Sequence, residues 1–589
     1  MKQIVLPAMV SALLALPAAG RSLELIVNTA GNDNTPDARL TFVEALLLAN
    51  DALGRPMSAG ESVLMIEDDA GDDLVIRFAI PGSGPQIIAA PPGGFPPLLA
   101  PGFARTLVDG YSQPGARPNS AGPGDANNAV LRIVLDCRVL EPDPHTLETP
   151  DWSLRLAGAN IHVRGFSVLA SQDSLNYGVY FSDGAAGGQV SGCWFGISPD
   201  QTLFSGGEVA IAAYGTEGGH VFGSDGDGAN AMEEQNVIVA HAIAIQFEET
   251  RDVVVRNNLI GVLPDGRTLP PAEIREALEG DAIEGADLEG TITIRRNVIG
   301  GMRGDVIEFY GPAERLVLAG NWIGVAMDSI TPLPNGNFLR VQKVQAVIGT
   351  GDGAPTGSAA ANRIYNHTGY LFRYPRPDTR VVQRGNYFRG NTGPSHELLE
   401  HSLAGLRLGR DTDLAPVLSD DSTRQQIRGS VPLSGPGDDN LTPAAVDVHL
   451  ANPDPDPDSR VMGLRIATFI EGGPDDLDPA PGAFAFDLTG VPGIHLATHL
   501  VITSTLSDDS GSDTSPFSNP LALIPQSSSI AIARDGDDVV LTWEDPAYGA
   551  QFLVGNLADP DGWSDIPGDS PCRAPLSLSD QAYFRLKHR

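Results

Sequence analysis

The chain has 589 residues and a formal net charge of −36, with 38 Lys and Arg against 74 Asp and Glu. No surplus of cations is left to neutralise phosphates, which excludes a nucleic-acid binder. Charged residues at 19%, aromatics at 6%, 67 Gly and 47 Pro suit a turn-rich all-β protein, and the length calls for several domains or one long repeat body.

Residues 1–20 read as a secretory signal peptide. Lys2 supplies the positive start, "IVLPAMVSALLALPA" the short apolar run, and small residues near Ala18 to Gly20 the cleavage site. The run is too short and too interrupted by proline for a membrane span, and no other segment reaches the ~18 apolar residues one needs. The expected localisation is secreted or cell-surface. Residues 21–61 read as an N-terminal cap. Within them Thr41 to Leu53 places Val43, Leu46, Leu47 and Ala52 at helical spacing, so a short helix is expected to cover an otherwise open sheet edge.

Residues 62–410 are read as a parallel β-helix because they repeat. "GCWFGISPDQTLFSG" from Gly192, "NNLIGVLPDGRTLPP" from Asn257 and "GNWIGVAMDSITPLPNG" from Gly320 are one phrase written three times. Its landmark position, Cys193, Asn258, Asn321 and Asn386, recurs at intervals of 65, 63 and 65. Shorter echoes at Asn236, Asn297 and Asn362 precede the next landmark by 22, 24 and 24 residues. That interval suits one coil of short strands, and each long repeat is expected to hold about three coils. Stacked coils would bury a column of Ile and set Asn above Asn in a self-satisfying amide ladder. The Gly after each Ile would take the positive φ of a sharp turn. Asp200, Asp265 and Asp328, the repeated Asp of the phrase, are read as Asx-turn formers.

"LTFVEALLLAND" (Leu40–Asp51), "IRFAIPGSGPQII" (Ile76–Ile88), "VDGYSQPGARPNS" (Val108–Ser120), the repeats and the closing "SGSDTSPFSNPLAL" (Ser510–Leu523) together resemble the CSLREA-type bacterial secreted β-helix proteins. The resemblance covers roughly residues 22–525, although Phe42-Val43 stands where the group usually has Leu-Arg. It implies a right-handed parallel β-helix of pectin-lyase-like fold on an exported protein. It carries over no catalytic residues.

After residue 410 the period stops. "IRGSVPLSG", "AAVDVHLAN", "GAFAFDLTG" and "THLVITSTLSD" are strands separated by turns, so residues 411–526 are expected to form an immunoglobulin-like β-sandwich. Asp454, Asp456 and Asp458 lie in a loop of it, where the intervening prolines oppose a tight cation loop. Residues 527–589 are expected to form a small C-terminal β domain that opens with a hairpin turning at "RDGD".

The three cysteines, Cys137, Cys193 and Cys572, form no disulfide framework and no metal pair. Cys137 and Cys193 read as core residues, with a bridge between them as the alternative. The sharpest candidate site is the echo "GDAIEG" (Gly280–Gly285) and "GDVIEF" (Gly304–Phe309), offset by 24 residues. It should set Asp281 near Asp305 and Glu284 near Glu308 on neighbouring coils, where like charges need solvent, a proton or a cation between them. These four are the candidate catalytic residues, and Asp281 and Asp305 the candidate metal ligands, with calcium as the ion considered. The same landmark sets Tyr177 over the Asp position and Tyr180 over the Glu position, so rings and carboxylates would share a face that suits sugar. A basic stretch, Leu371–Gly390, offers Arg373, Tyr374, Arg376 and Arg380 as further ligand contacts for an anionic polysaccharide. For each of these the plain alternative is a solvated acid or a locally paired arginine.

No G-x-S-x-G, H-E-x-x-H, phosphate loop or dinucleotide fingerprint occurs, and the signature of β-helix polygalacturonases is missing. The reading is an exported monomer that binds polysaccharide or mediates adhesion. The alternatives are a polysaccharide lyase or glycoside hydrolase on the same scaffold and a purely structural stalk.

Overall fold

The computed structural model describes residues 22–68, 71–140, 151–171, 176–228, 230–276, 280–349, 359–374, 379–392, 396–398, 416–431, 444–451, 462–491, residue 494, and short stretches between 499 and 588. The signal segment, Arg376 and the loop holding Asp454, Asp456 and Asp458 lie outside them. The described residues divide into two compact units. One takes the residues up to Leu259 with Leu263–Asp265, the other Ile260–Val262 and the residues from Gly266 on.

The fold is all-β with mostly parallel stacked strands and few helices, a parallel β-helix. In the first unit each coil adds one strand to each of three stacks. One stack runs Asp73–Phe78, Arg105–Asp109, Ile161–Arg164, Gln189–Ser191, Val221–Gly223 and Val254–Arg256. A second runs Trp152–Leu156, Tyr177–Phe181, Val209–Tyr214 and Ile243–Glu248. The third runs Gln86–Ala89, Ile133–Cys137, Phe166–Ala170, Trp194–Phe195 and Val237–Ile238. Alternation along each strand sends one set of side chains inward, as in Trp152–Leu156, where Leu154 and Leu156 are fully buried and Trp152 and Arg155 are not.

Helix Phe42–Ala49 forms where the apolar spacing predicted one. Thr41 caps it in a capping box with Glu44. Its buried face sets the Phe42 ring 5.6 Å from Phe78 and 5.3 Å from Phe95. Glu44 and Glu61 are buried on Arg55, and hydrogen bonding from that guanidinium holds Glu61 down to about 2.

The second unit builds its coils on strands Ile283–Arg295 and Asp305–Ala319, which run through a bend where the first unit breaks its strands. Asn337–Val341 and Val344–Gly349 continue from them as separate stacks. A further stack is Val298–Ile299, Trp322–Ile323, Arg363–Tyr365 and Tyr387–Arg389.

The asparagine ladder forms as expected. Asn321 Oδ1 accepts from the backbone N–H and Nδ2 of Asn297 at 3.0 and 3.1 Å, while its own Nδ2 donates to Asn362 Oδ1 at 2.9 Å. Asn362 Nδ2 donates to Asn386 Oδ1 at 2.9 Å. In the first unit Cys193 N–H donates to Asn236 Oδ1 and Asn236 Nδ2 to Asn258 Oδ1. All six asparagines are fully buried. The ladder corrects the coil count. Neighbouring rungs lie 43 and 22 residues apart in the first unit, and 24, 41 and 24 apart in the second. A long repeat is therefore two coils, one short and one lengthened by the loop after Ile-Gly, rather than three. The loop is itself a small hairpin, bridged at Ile197↔Phe204 and at Val325↔Pro332, so it lengthens a coil without adding one. The landmark glycines are needed where they stand. Gly324 has φ +74°, and a Cβ there would lie 1.7 Å from the Tyr365 carbonyl oxygen. Asp200 and Asp328 are turn formers as read: Asp328 accepts from the backbone N–H of Ile330 and Thr331, both at 2.8 Å. Cys137 and Cys193 are buried free thiols, so the bridge does not form.

Antiparallel strands follow the coils. Ala445–Ala451 lies between Met462–Ile470 and His499–Asp508, and Gln426–Ser430 pairs with Ala483–Asp487. Val446, Val448, Ile466, Phe484, Phe486, Leu500 and Ile502 share one core. Met462–Ile470 also pairs antiparallel with strand Tyr387–Arg389 at Tyr387↔Leu464. The Arg384 guanidinium holds Asp447 at 3.0 and 3.2 Å, both groups buried. Strands Ala531–Asp535 and Asp538–Thr542 pair antiparallel.

Candidate functional site

Two clusters bring chemistry-bearing side chains together, one in each unit. In the second unit strand register carries the acidic echo as the 24-residue offset predicts. Ile283 faces Ile307 and Glu284 faces Glu308 on the neighbouring strand. Asp305 N–H donates to Asp281 Oδ1 at 2.6 Å. Oxygens of Asp281, Asp305 and Glu308 all lie within 4.8 Å of one another. Gly304 makes this approach feasible, since a Cβ there would sit 2.4 Å from Asp281 Oδ1.

Sequence reasoning missed what surrounds the acids. Glu308 faces Arg340, and Arg340 faces Arg373. Arg340 Nη1 lies 2.5 Å from Glu308 Oε1 and its guanidinium 5.1 Å from the Tyr310 ring centre. Tyr310 donates its hydroxyl proton to Glu308, and Tyr370 donates to Asp305. Arg373 lies 5.3 Å over the Tyr370 ring. The 32-residue offset from Glu308 to Arg340 belongs to a long coil, and a search at the short pitch alone passes over it.

Asp305 and Glu308 are each only 6% exposed. Burial pushes the Glu308 carboxyl up to about 9, the Asp281 hydrogen bond and charge push the same way, and Arg340 opposes them. Burial also raises Asp305, against the Tyr370 hydrogen bond. Burial and the neighbouring Asp281 thus favour the protonated form of Glu308, against Arg340, the arrangement that lets a carboxylic acid act as a proton donor. As a calcium site it fits only in part. Three carboxylates are the hard oxygen donors calcium takes, but Glu308 already holds Arg340 and Tyr310, and an entering cation would face that guanidinium.

In the first unit Tyr177 and Tyr180 join a ring cluster. Trp152 faces Tyr177 and Arg155 faces Tyr180 across neighbouring strands. Ring centres lie 5.2 Å apart for Tyr177–Tyr180, 5.5 Å for Tyr177–Tyr214, 5.6 Å for Tyr180–Tyr214 and 6.2 Å for Trp152–Tyr180. The Arg155 guanidinium stands 5.0 Å from the Trp152 ring centre. All five side chains are half-buried. Burial raises both Tyr177 and Tyr180. Trp152 lies 25 residues before Tyr177, close to the short pitch, which was the available signal for it. The facing residue of Tyr180 on the next strand is the small, fully buried Ala212, which leaves room for Tyr180 and Tyr214 to meet.

The basic stretch is divided. Arg384 is paired with Asp447 and Arg373 belongs to the acidic cluster. The strand backbone at Tyr374 and Arg380 is described, while their side chains and all of Arg376 lie outside the described residues. Arg363 lies 5.2 Å from the Trp322 ring centre and 5.4 Å from that of Tyr387. A groove of about 550 Å³ in the first unit is lined by Asp73, Arg105, Leu107, His162 and Gln189 and holds none of the predicted residues.

No protein-family model and no curated protein matches this chain. Among solved structures, tailspike protein 2 from Escherichia coli O157:H7 bacteriophage CAB120 is similar at 11% identity, over 88% of this chain and 64% of that one, with a TM-score of 0.23. A glycan biofilm modifying enzyme from Pantoea stewartii, with a bacteriophage tailspike-like parallel β-helix fold, is similar at 9% identity, over 72% of this chain and 52% of that one, with a TM-score of 0.16. The chain thus spans less than two thirds of either protein. At these scores the fold rests on the strand register described above. No helix among the described residues is long and apolar enough to cross a membrane.

Proposed function

We propose that this chain is an exported, right-handed β-helix protein that binds polysaccharide through the ring cluster of its first unit. The observation that carries the reading is the set of four half-exposed aromatic rings, Trp152, Tyr177, Tyr180 and Tyr214, held by strand register on successive coils. Half-exposed rings in contact form an apolar surface with polar rims, which marks a binding face and suits the apolar side and edge hydroxyls of a sugar. Helix Phe42–Ala49 as an end cap, an immunoglobulin-like sandwich after the coils and a monomeric state belong to the same reading. The resemblance to CSLREA-type proteins supports export.

The test is glycan binding, by affinity electrophoresis against a polysaccharide panel, with Trp152→Ala and Tyr180→Ala. Wild-type binding and a loss of at least about tenfold in each variant, ~1.4 kcal/mol, are expected. Equal binding by wild type and both variants would sink the reading.

A second reading, turnover of a polysaccharide, is favoured by the proton that Glu308 retains beside Asp281. Asp281 and Glu308 are in hydrogen-bond contact, closer than the ~5–5.5 Å pair of a retaining glycosidase. New reducing ends, or absorbance from unsaturated uronates, that vanish in Glu308→Gln would establish it. A signal lost on chelation would bring calcium into the cluster. Adhesion without turnover predicts neither signal.

A further inference from the structure

The charge around the ring cluster selects among glycans. Asp151 precedes Trp152 and is exposed. Glu248 is exposed and faces Tyr214 in register. Glu208 precedes Val209, which faces Tyr177. Asp183 is exposed two residues beyond Phe181, the end of the strand that carries both tyrosines. These carboxylates act electrostatically on the cluster: Glu208, Asp151 and Glu248 on Tyr177, and Asp183 on Tyr180.

Arg155 is the cation they share the face with. Its guanidinium lies over Trp152 and within 6.0 Å of the Tyr180 ring centre, and its Nε donates to Ser182 at 2.9 Å. That geometry braces the rings and engages the Nε edge of the guanidinium. Four carboxylates against one guanidinium leave a net charge of −3 around the rings.

We infer that the ring cluster of the first unit takes a neutral glycan, a polymer of hexose or N-acetylhexosamine without carboxylate or sulfate, and rejects uronate and sulfated polymers by like-charge repulsion. This rests on the glycan-binding reading and fixes its substrate class. It reverses the preference for anionic polymers that the basic stretch 371–390 suggests, because Arg384 and Arg373 of that stretch are already engaged in the second unit.

The experiment compares one uronic-acid polysaccharide in its native and carboxyl-reduced forms, alongside a panel of neutral hexans and N-acetylhexosamine polymers, at low and high salt. The full chain is expected to bind the carboxyl-reduced form at least tenfold more tightly at low salt. The gap should narrow as salt screens the acids. The variant Asp151→Asn, Asp183→Asn, Glu208→Gln, Glu248→Gln should close it while retaining the neutral affinity. Equal or tighter binding of the native form would overturn the substrate class and leave glycan binding standing. Binding that survives Trp152→Ala and Tyr180→Ala unchanged, or no binding to any polymer, would overturn both.

Discussion

The two units weight buried polarity differently. The first buries ion pairs, Glu44 and Glu61 on Arg55 before the coils and Asp109 on Arg164 within them, and fills further polar places in its coils with neutral histidine. His220 Nδ1 accepts from Gly188 N–H and His241 Nδ1 from Gly207 N–H, both at 3.2 Å. Burial holds His162 and His220 down to about 4 and His241 down to about 3. The second unit buries ions: Arg384 on Asp447, and Arg340 on a carboxyl cluster that retains a proton. A stacked coil therefore accepts either solution, and the choice appears as a different response to mutation and to pH.

The largest difference should come from Asp447→Ala. It leaves Arg384 and Arg465 buried without their carboxylate, a loss of about 3–5 kcal/mol in denaturant unfolding. A change under about 1 kcal/mol would show that water reaches the pair. Next come the ladders, where the two units should behave alike. Asn236→Ala and Asn321→Ala each orphan a buried backbone N–H, of Cys193 and of Asn297, at about 1–3 kcal/mol. A clear inequality would mean that only one ladder bears on stability.

The pH responses should have opposite signs. A depressed histidine stabilises the fold above its unfolded value, near 6.5, and that contribution is lost as pH falls through the folded value near 4. Glu308 is raised instead, so its contribution is present below the unfolded value of 4.5 and is lost as pH rises toward about 9. Hydrogen exchange by peptide, from pH 4 to 9, should show the coils around His220 and His241 loosening at the acid end and those around Glu308 at the alkaline end. Glu308→Gln should abolish the alkaline change alone. His367 in the second unit is also held down to about 4 and should add an acid-side loss there. The smallest effect is expected from Asp328→Ala. It removes an exposed turn and should cost about 0.5 kcal/mol.

Much of the second unit's site was legible because its spacing is short. Two "GD" turns 24 residues apart set Asp281 on Asp305 and Glu284 opposite Glu308, as strand register requires. The asparagines were legible for the same reason, and also for a local one. Gly192, Asn257, Arg296, Gly320 and Gly385 precede a landmark and all have positive φ, which is why Gly and Asn crowd that position. Long coils hid the rest. Arg340 and Tyr370 reach the acids through insertions whose length no period fixes, and such lengthening made one repeat look like three coils. Tyr214 reaches the rings from the far end of a strand whose facing residue is alanine, so it answers to no pairing rule. Cys137 and Cys193 are core residues as read, and the alternative bridge does not form, with Cys193 Sγ 3.3 Å from the Ser191 carbonyl.

A stack of near-identical coils has no internal reason to end. Each finished turn is a template for the next, so an uncovered last turn would recruit another chain and grow a filament. Strand Met462–Ile470 meets the stack at Tyr387–Arg389 running the opposite way, at Tyr387↔Leu464, and Thr514 Oγ1 accepts from Gln383 N–H beside it. The reversed direction breaks the template. On that stack the added β module thereby offers an edge that no further parallel coil can copy.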